Sequence, residues 1–172
     1  MEVLADRYRR VRSLGSGAMG EVWLAEDSLL GRPVAIKQLR TDPDGTVDEW
    51  GQRIRREARV AAQLNHPNAV AIYDLVVVDE QPYVVMEYVP GDSLARRIRL
   101  AGKLSPEQAA RWIGQVAGAL EAAHARGIVH RDVKPANVAG DYVNRPSVTA
   151  LKRHDTVRDA AELEPLQQRM AC

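Results

Sequence analysis

Phenylalanine is absent from this chain of 172 residues, and its single cysteine, Cys172, is the last residue. One cysteine excludes an internal disulfide. No apolar run reaches the roughly 18 residues of a membrane span, and residues 1–12 lack the features of a secretory signal. A net charge of +1 gives no electrostatic reason to propose nucleic acid or an anionic membrane as a partner. These absences predict a cytoplasmic globular protein without a membrane segment.

Most strand signals lie in the first half of the chain. Apolar stretches bounded by glycine or proline predict strands at residues 8–14, 21–26 and 34–39 and a hairpin at 69–78 and 82–88. A brief buried strand is expected at 128–129. An apolar stripe predicts a helix over residues 47–64, and a shorter helix is expected at 93–100 with Asp92 as its cap.

The clearest helix signal covers residues 105–126. Ser105 suits the N-cap, Gln108 could complete a capping box, and Gly127 supplies the stop. A single apolar face is expected to contain Ala109, Trp112, Ile113, Val116 and Leu120. Beyond residue 137 the periodic signals weaken, and a short helix at 155–169 would be interrupted by Pro165.

A glycine-rich segment separates the first two predicted strands. It reads Gly15-Ser16-Gly17-Ala18-Met19-Gly20. Glycines at this spacing let a backbone approach phosphate groups and direct N–H groups at them. A dinucleotide-binding fingerprint would have a helix after the glycines. Strands on both sides favour a phosphate-covering flap, and an ordinary glycine hairpin is the alternative.

Lys37 and Glu57 form the second candidate pair. Lys37 ends the apolar strand, and Glu57 falls within the apolar stripe of helix 47–64. A buried carboxylate without a partner costs several kcal/mol, so a cation should meet it. Lys37 is the economical candidate, and the pair would hold its ammonium group ready for the phosphates of a nucleotide. The alternatives are an edge-strand lysine and a Glu57 solvated beside neighbouring arginines.

The most specific motif is His130-Arg131-Asp132-Val133-Lys134-Pro135-Ala136-Asn137. Phosphoryl transfer needs positioning and charge neutralisation more than covalent help from the protein. Asp132 would orient a substrate hydroxyl and accept its proton. Lys134 would neutralise the transferring phosphoryl group, and Asn137 would hold a magnesium ion.

With these motifs in this order, residues from about 8 to 138 resemble the bacterial serine/threonine kinases that share the eukaryotic protein-kinase fold. Further matches are the segments His66-Pro67-Asn68 and Met86-Glu87-Tyr88-Val89. The resemblance implies ATP and Mg²⁺ as cofactors and a protein substrate. Met86 would be the gatekeeper. The implied nucleotide-binding residues are Leu14, Gly15, Ser16, Gly17, Gly20, Val22, Ala35, Lys37, Met86, Glu87 and Val89.

The implied fold is two-lobed α+β. Residues 1–89 would form the small lobe and hinge, with a five-stranded antiparallel sheet and one helix. Residues 90–138 would form an incomplete, mainly helical large lobe with the catalytic loop, and residues 139–172 a divergent, weakly structured tail.

The sequence departs from the family where an Asp-Phe-Gly segment is expected. That neighbourhood reads Ser147-Val148-Thr149-Ala150. The aspartate of that segment ordinarily coordinates the metal ions. The sequence therefore predicts a kinase fragment with weak or no activity. The alternatives are a non-catalytic nucleotide-binding or protein-interaction module and a gene remnant that does not fold stably.

Overall fold

The computed structural model describes residues 2–17, 20–39, 47–140 and 147–148. Its main element is a six-stranded antiparallel sheet with the order β1-β2-β3-β4-β6-β5. The strands are β1 (Val3–Leu4), β2 (Tyr8–Gly17), β3 (Gly20–Asp27), β4 (Arg32–Gln38), β5 (Ile72–Val78) and β6 (Gln81–Glu87). The five strands predicted for the small lobe are therefore present, and the two-residue β1 adds a sixth at the edge of the sheet.

The sheet is buried on both faces in its centre. Val34 and Ile36 of β4 lie in one apolar cluster, and Ala35, which points to the opposite face, lies in another. Residues 34–37 are all buried for this reason. Because side chains alternate along a strand, Lys37 lies on the same face as Ala35. Helix α1 (Val47–Ala62) packs against β5.

The segment after β6 contains two helices and a second, small sheet. The helices are α2 (Leu94–Ala101) and α3 (Pro106–His124), and the strands are β7 (Asp92–Ser93), β8 (Val138–Gly140) and β9 (Ser147–Val148). They pair in the order β7-β8-β9. Within the described ranges, no helix is both long enough and apolar enough to span a bilayer.

Helix α3 has the predicted start. The hydroxyl of Ser105 accepts a hydrogen bond from the backbone N–H of Gln108 (3.2 Å), and the side-chain oxygen of Gln108 accepts one from the N–H of Ser105 (3.1 Å). This capping box satisfies two N–H groups that the helix leaves unpaired. At the other end Gly127 has φ of +72°, as a glycine stop requires.

The predicted apolar face of α3 is only partly buried. Trp112 and Val116 lie in the core with Leu64 and Ile128, whereas Ile113 is 66% exposed. Most of the predicted face is therefore covered by other described residues. Described residues that precede and follow α3 in the chain supply the packing.

Two local predictions are corrected by the structure. Ser93, not Asp92, caps α2, because its hydroxyl accepts from the N–H of Arg96 (3.2 Å). Asp92 instead lies in β7 and pairs with the Arg96 guanidinium (3.0 Å). Residues 128–129 form no strand.

The segment assigned to the tail contributes to the fold. Residues 139–140 and 147–148 pair in the small sheet, and Val148 is only 2% exposed. Val148 also exchanges backbone hydrogen bonds with the segment before β5, donating to Asn68 (2.9 Å) and accepting from Val70 (3.0 Å). The short helix predicted at 155–169 lies outside the described residues.

Candidate nucleotide-binding site and catalytic loop

The glycine segment joins two antiparallel strands, as the sequence predicts. Gly17 of β2 is opposite Gly20 of β3, and Gly15 is opposite Val22. Gly20 has φ of +109°, and a Cβ atom there would lie 2.3 Å from the carbonyl oxygen of Gln38. Glycine is therefore required at position 20 for steric as well as conformational reasons. Leu14 and Ser16 are exposed on β2, beside the flap.

An apolar surface lies on the sheet face that carries Lys37. Ala35 and Met86 are buried in it, and Val22 and Val89 pack against them. Four of the residues predicted to surround adenine are therefore in one cluster. The backbone N–H of Glu87 donates to the carbonyl of Ala71 (2.8 Å), which fixes the start of the hinge.

Lys37 is 9% exposed on β4. Burial lowers the pKa of its ammonium group, the negative charge of Asp132 raises it, and the positive charge of Lys134 lowers it. The structure thus brings the strand lysine and the catalytic-loop charges close enough to act on one another. Glu57 is half-buried on α1. Its pairing with Lys37 stays a prediction.

Asp132 is the centre of the catalytic loop. Its carboxylate lies 3.0 Å from the ammonium group of Lys134. The Asn137 amide donates both to this carboxylate (3.0 Å) and to the Asp132 backbone carbonyl (2.9 Å). These bonds are possible because residues 135–137 form a single 3-10 turn that folds Asn137 back over Asp132. The three residues that the sequence assigned to one motif therefore form one cluster.

Two features in front of Asp132 shape the loop. The Nδ1 atom of the buried His130 accepts the backbone N–H of Asp132 (3.2 Å). Arg131 has φ of +59°, a conformation that few residues other than glycine adopt. The positioning role of His130 was not predicted. Its place just before Asp132 is the only sequence signal that could have suggested it.

The loop supplies some of the oxygen ligands that a hard cation such as Mg²⁺ prefers. The Asn137 amide nitrogen donates to two oxygens of Asp132, and the amide carbonyl oxygen is an acceptor of the kind that Mg²⁺ prefers. Among the described residues, no three His, Cys, Asp or Glu side chains converge as a metal-binding group. Asn137, with Asp132 beside it, would thus be the protein ligand for magnesium.

A curled antiparallel sheet with a glycine flap, followed by a helical segment and an Asp-Lys-Asn loop, defines a kinase-like fold. A profile of the protein kinase domain family matches residues 8–152. This chain belongs to that family. The match extends past residue 138 to residue 152.

Curated relatives include a probable serine/threonine-protein kinase of Corynebacterium efficiens, 49% identical over 140 residues, with 79% of this chain and 21% of the relative covered. The serine/threonine-protein kinase PrkC of Bacillus subtilis is 44% identical over 146 residues, with 85% of this chain and 22% of PrkC covered. The chain thus spans about a fifth of the length of these relatives.

Solved structures show the same likeness. The crystal structure of the PknI kinase domain of Mycobacterium tuberculosis superimposes with a TM-score of 0.72 at 36% sequence identity. The superposition covers 83% of this chain and 57% of the PknI chain. At this identity, both sequence and fold place the described residues in the kinase family.

Proposed function

We propose that this chain is the nucleotide-binding portion of a serine/threonine protein kinase domain, and that it binds ATP with Mg²⁺ in the cytoplasm. The observation that carries the proposal is the cluster of Asp132, Lys134 and Asn137, in which the charges of Asp132 and Lys134 act on the buried Lys37. A buried lysine that lies beside an apolar cluster and feels the charge of an aspartate is suited to an anionic ligand with a flat apolar part.

Each residue of the cluster has a role in the family reaction, in which the γ-phosphoryl group passes from ATP to a serine or threonine hydroxyl of a protein. Asp132 would orient that hydroxyl and accept its proton as the new P–O bond forms. Lys134 would neutralise charge on the transferring group, and Lys37 would bind the α- and β-phosphates, supported by Glu57. ADP would then leave.

The apolar surface would hold the base. Val22 and Ala35 would pack on the adenine faces, with Met86 as gatekeeper and backbone groups of Glu87 and Val89 as its hydrogen-bonding partners. The flap, Leu14, Gly15, Ser16, Gly17 and Gly20, would cover the phosphates. A bound Mg²⁺ supplies charge neutralisation between the phosphates, and Asn137 would hold it.

The same site favours binding over transfer. The family's Asp-Phe-Gly segment is missing from the sequence, which contains no phenylalanine. Loss of one well-placed electrostatic group lowers a rate about 10²–10³-fold, and loss of a principal metal ligand should cost at least as much. A non-catalytic nucleotide-binding module is therefore the second candidate function. A gene remnant that does not fold is the third outcome.

One pair of assays separates these functions. Calorimetric titration with ATP and Mg²⁺ measures binding, and transfer of labelled phosphate to a generic basic protein measures catalysis. Asp132→Asn keeps the size and shape of the side chain and removes the charge that would accept the proton. We expect saturable binding in both proteins and transfer at most about 10⁻² of that of a complete kinase. Full transfer that Asp132→Asn abolishes would refute the weak-activity proposal. Absence of binding in a folded chain would refute nucleotide binding itself.

A further inference from the structure

Arg97 is a charged residue inside the helical part of the protein. It lies on α2 and is only 5% exposed. Its guanidinium group stacks on the ring of Trp112 of α3, 4.9 Å from the ring centre, and donates a hydrogen bond to the backbone carbonyl of Gly140. One side chain therefore connects α2, α3 and β8.

An apolar side chain would serve packing better at this position. Trp112 belongs to a cluster that also contains Val116, Ala119 and Val138. Burying a guanidinium group among such residues is costly, and hydrophobic replacements of buried charges are often neutral or stabilising. An apolar residue could not supply the hydrogen bond to Gly140, and a charged donor makes such a bond about twice as strong as a neutral one.

Gly140 is mechanically linked to the catalytic loop. It ends β8, which begins directly after the turn Pro135–Asn137. Strand β8 has three residues, and its neighbours β7 and β9 have two each. Ladders this short are weak restraints. The Arg97 bond is thus a substantial part of what holds the segment that follows Asn137, whose amide in turn holds Asp132.

We propose that Arg97 is a positioning residue: by binding the carbonyl of Gly140 it fixes β8, and through β8 it sets Asn137 against Asp132. The residue touches neither nucleotide nor metal. Its effect on the magnesium-dependent part of nucleotide affinity rests on the proposed function, whereas its effect on the order of the loop does not.

Hydrogen exchange tests the order of the loop directly. Arg97→Met keeps the volume and removes the donor, Arg97→Lys keeps a charged donor, and Arg99→Met, at an exposed site on the same helix, is the matched control. In Arg97→Met, the backbone N–H groups of Asp132 and Asn137 should exchange at least about tenfold faster than in the parent chain. The exchange rates of the amides of β4 and β6 should stay within about twofold of the parent values. Arg97→Lys should recover part of the protection, and Arg99→Met should change neither set.

Two exchange results would overturn the proposal. Equal acceleration at the loop and in β4 and β6 would show that Arg97 serves overall stability alone. Unchanged exchange at Asp132 and Asn137 in Arg97→Met would show that the loop does not depend on it.

Nucleotide affinity supplies a second readout that a purely structural role would not move. The dissociation constant of ATP is measured with and without Mg²⁺, each in the folded protein. Arg97→Met should reduce the gain in affinity that Mg²⁺ brings and leave the affinity without Mg²⁺ unchanged, and Arg97→Lys should restore part of the gain. An unchanged gain in Arg97→Met would contradict the proposal. If the parent chain binds no ATP, the proposed function fails, and hydrogen exchange alone decides the role of Arg97.

Discussion

Gly20 and Gly15 offer a paired test of how the flap is built. Both belong to the glycine-rich segment, and both can be changed to alanine. Gly20 has φ of +109°, and an added Cβ atom would lie 2.3 Å from the Gln38 carbonyl oxygen. Nothing lies within 4 Å of a Cβ atom added at Gly15. The same substitution should therefore be strongly destabilising at Gly20 and nearly neutral at Gly15.

The magnitude at Gly20 has two parts. A non-glycine residue held at positive φ costs roughly 1–2 kcal/mol. The contact with backbone is too short to be relieved by a side-chain rotation, so β3 and β4 must separate locally. Weakening one or two ladder hydrogen bonds adds about 1 kcal/mol each. Gly20→Ala should thus lose about 2–4 kcal/mol of unfolding free energy, and Gly15→Ala should change it by less than about 1 kcal/mol.

Chemical denaturation followed by circular dichroism measures both variants under the same conditions. We expect a large fall in the denaturation midpoint for Gly20→Ala and almost none for Gly15→Ala, with similar slopes. Equal stability of the two variants would show that Gly20 of β3 is not packed tightly against Gln38 of β4. The shape of the flap described above would then be wrong.

Three further tests, one of them with a control substitution, probe the scaffold. Ser105→Ala removes the cap of α3 and should lower the unfolding free energy by about 1 kcal/mol, measured by urea denaturation. Ile36→Ala, at a fully buried site, should lower it by about 2–5 kcal/mol, whereas Leu29→Ala, at a 72% exposed site, should stay within about 0.5 kcal/mol. A hydrogen bond from Arg7 holds the pKa of the Asp27 carboxyl at about 2, below its ordinary 3.8, so its ionised form stabilises the fold. The stability difference between the parent chain and Asp27→Asn, followed by denaturation at a series of pH values, should be full above about pH 4 and disappear as pH falls toward 2.

The sequence was most informative where a pattern is local and repeated. The strands of the large sheet, helix α1 and the capping box of α3 follow from spacing, turn residues and one cap pair. The flap was also predictable, because the two strands that flank the glycines are each several residues long. A short turn sets the pairing register of the two strands that it joins, so this register could be predicted without long-range information.

Very short strands and contacts between residues far apart in the chain could not be predicted from the sequence. Strand β1 and the small sheet of β7, β8 and β9 consist of two or three residues each, too few to show a period. The guanidinium group of Arg7 donates two hydrogen bonds to the carboxylate of Asp27, each of 2.8 Å, although the two residues are 20 apart in the chain. The burial of Arg97 depends on α3 and β8, and nothing in its own helix indicates it.

In the candidate site too, local features could be predicted from the sequence and long-range contacts could not. The motif from His130 to Asn137 predicted the loop cluster, because all of its members lie close together in the chain. The approach of Lys37 to Asp132 joins residues far apart in the chain, and only the resemblance to the family suggested it. The cation that meets Glu57 cannot be read from spacing, because arginines neighbour it on its own helix.

The central claim is that a buried Lys37 forms the phosphate-binding centre of a nucleotide site. Thermal unfolding with and without Mg²⁺ and ATP tests it, using Lys37→Met and the exposed-site control Lys103→Met. At 100 times the dissociation constant the ligand should stabilise the parent chain by about 2.7 kcal/mol, a rise of roughly 5–10 °C for a chain of this size. We expect Lys103→Met to keep this rise and Lys37→Met to lose it. An equal rise in both variants would contradict the account.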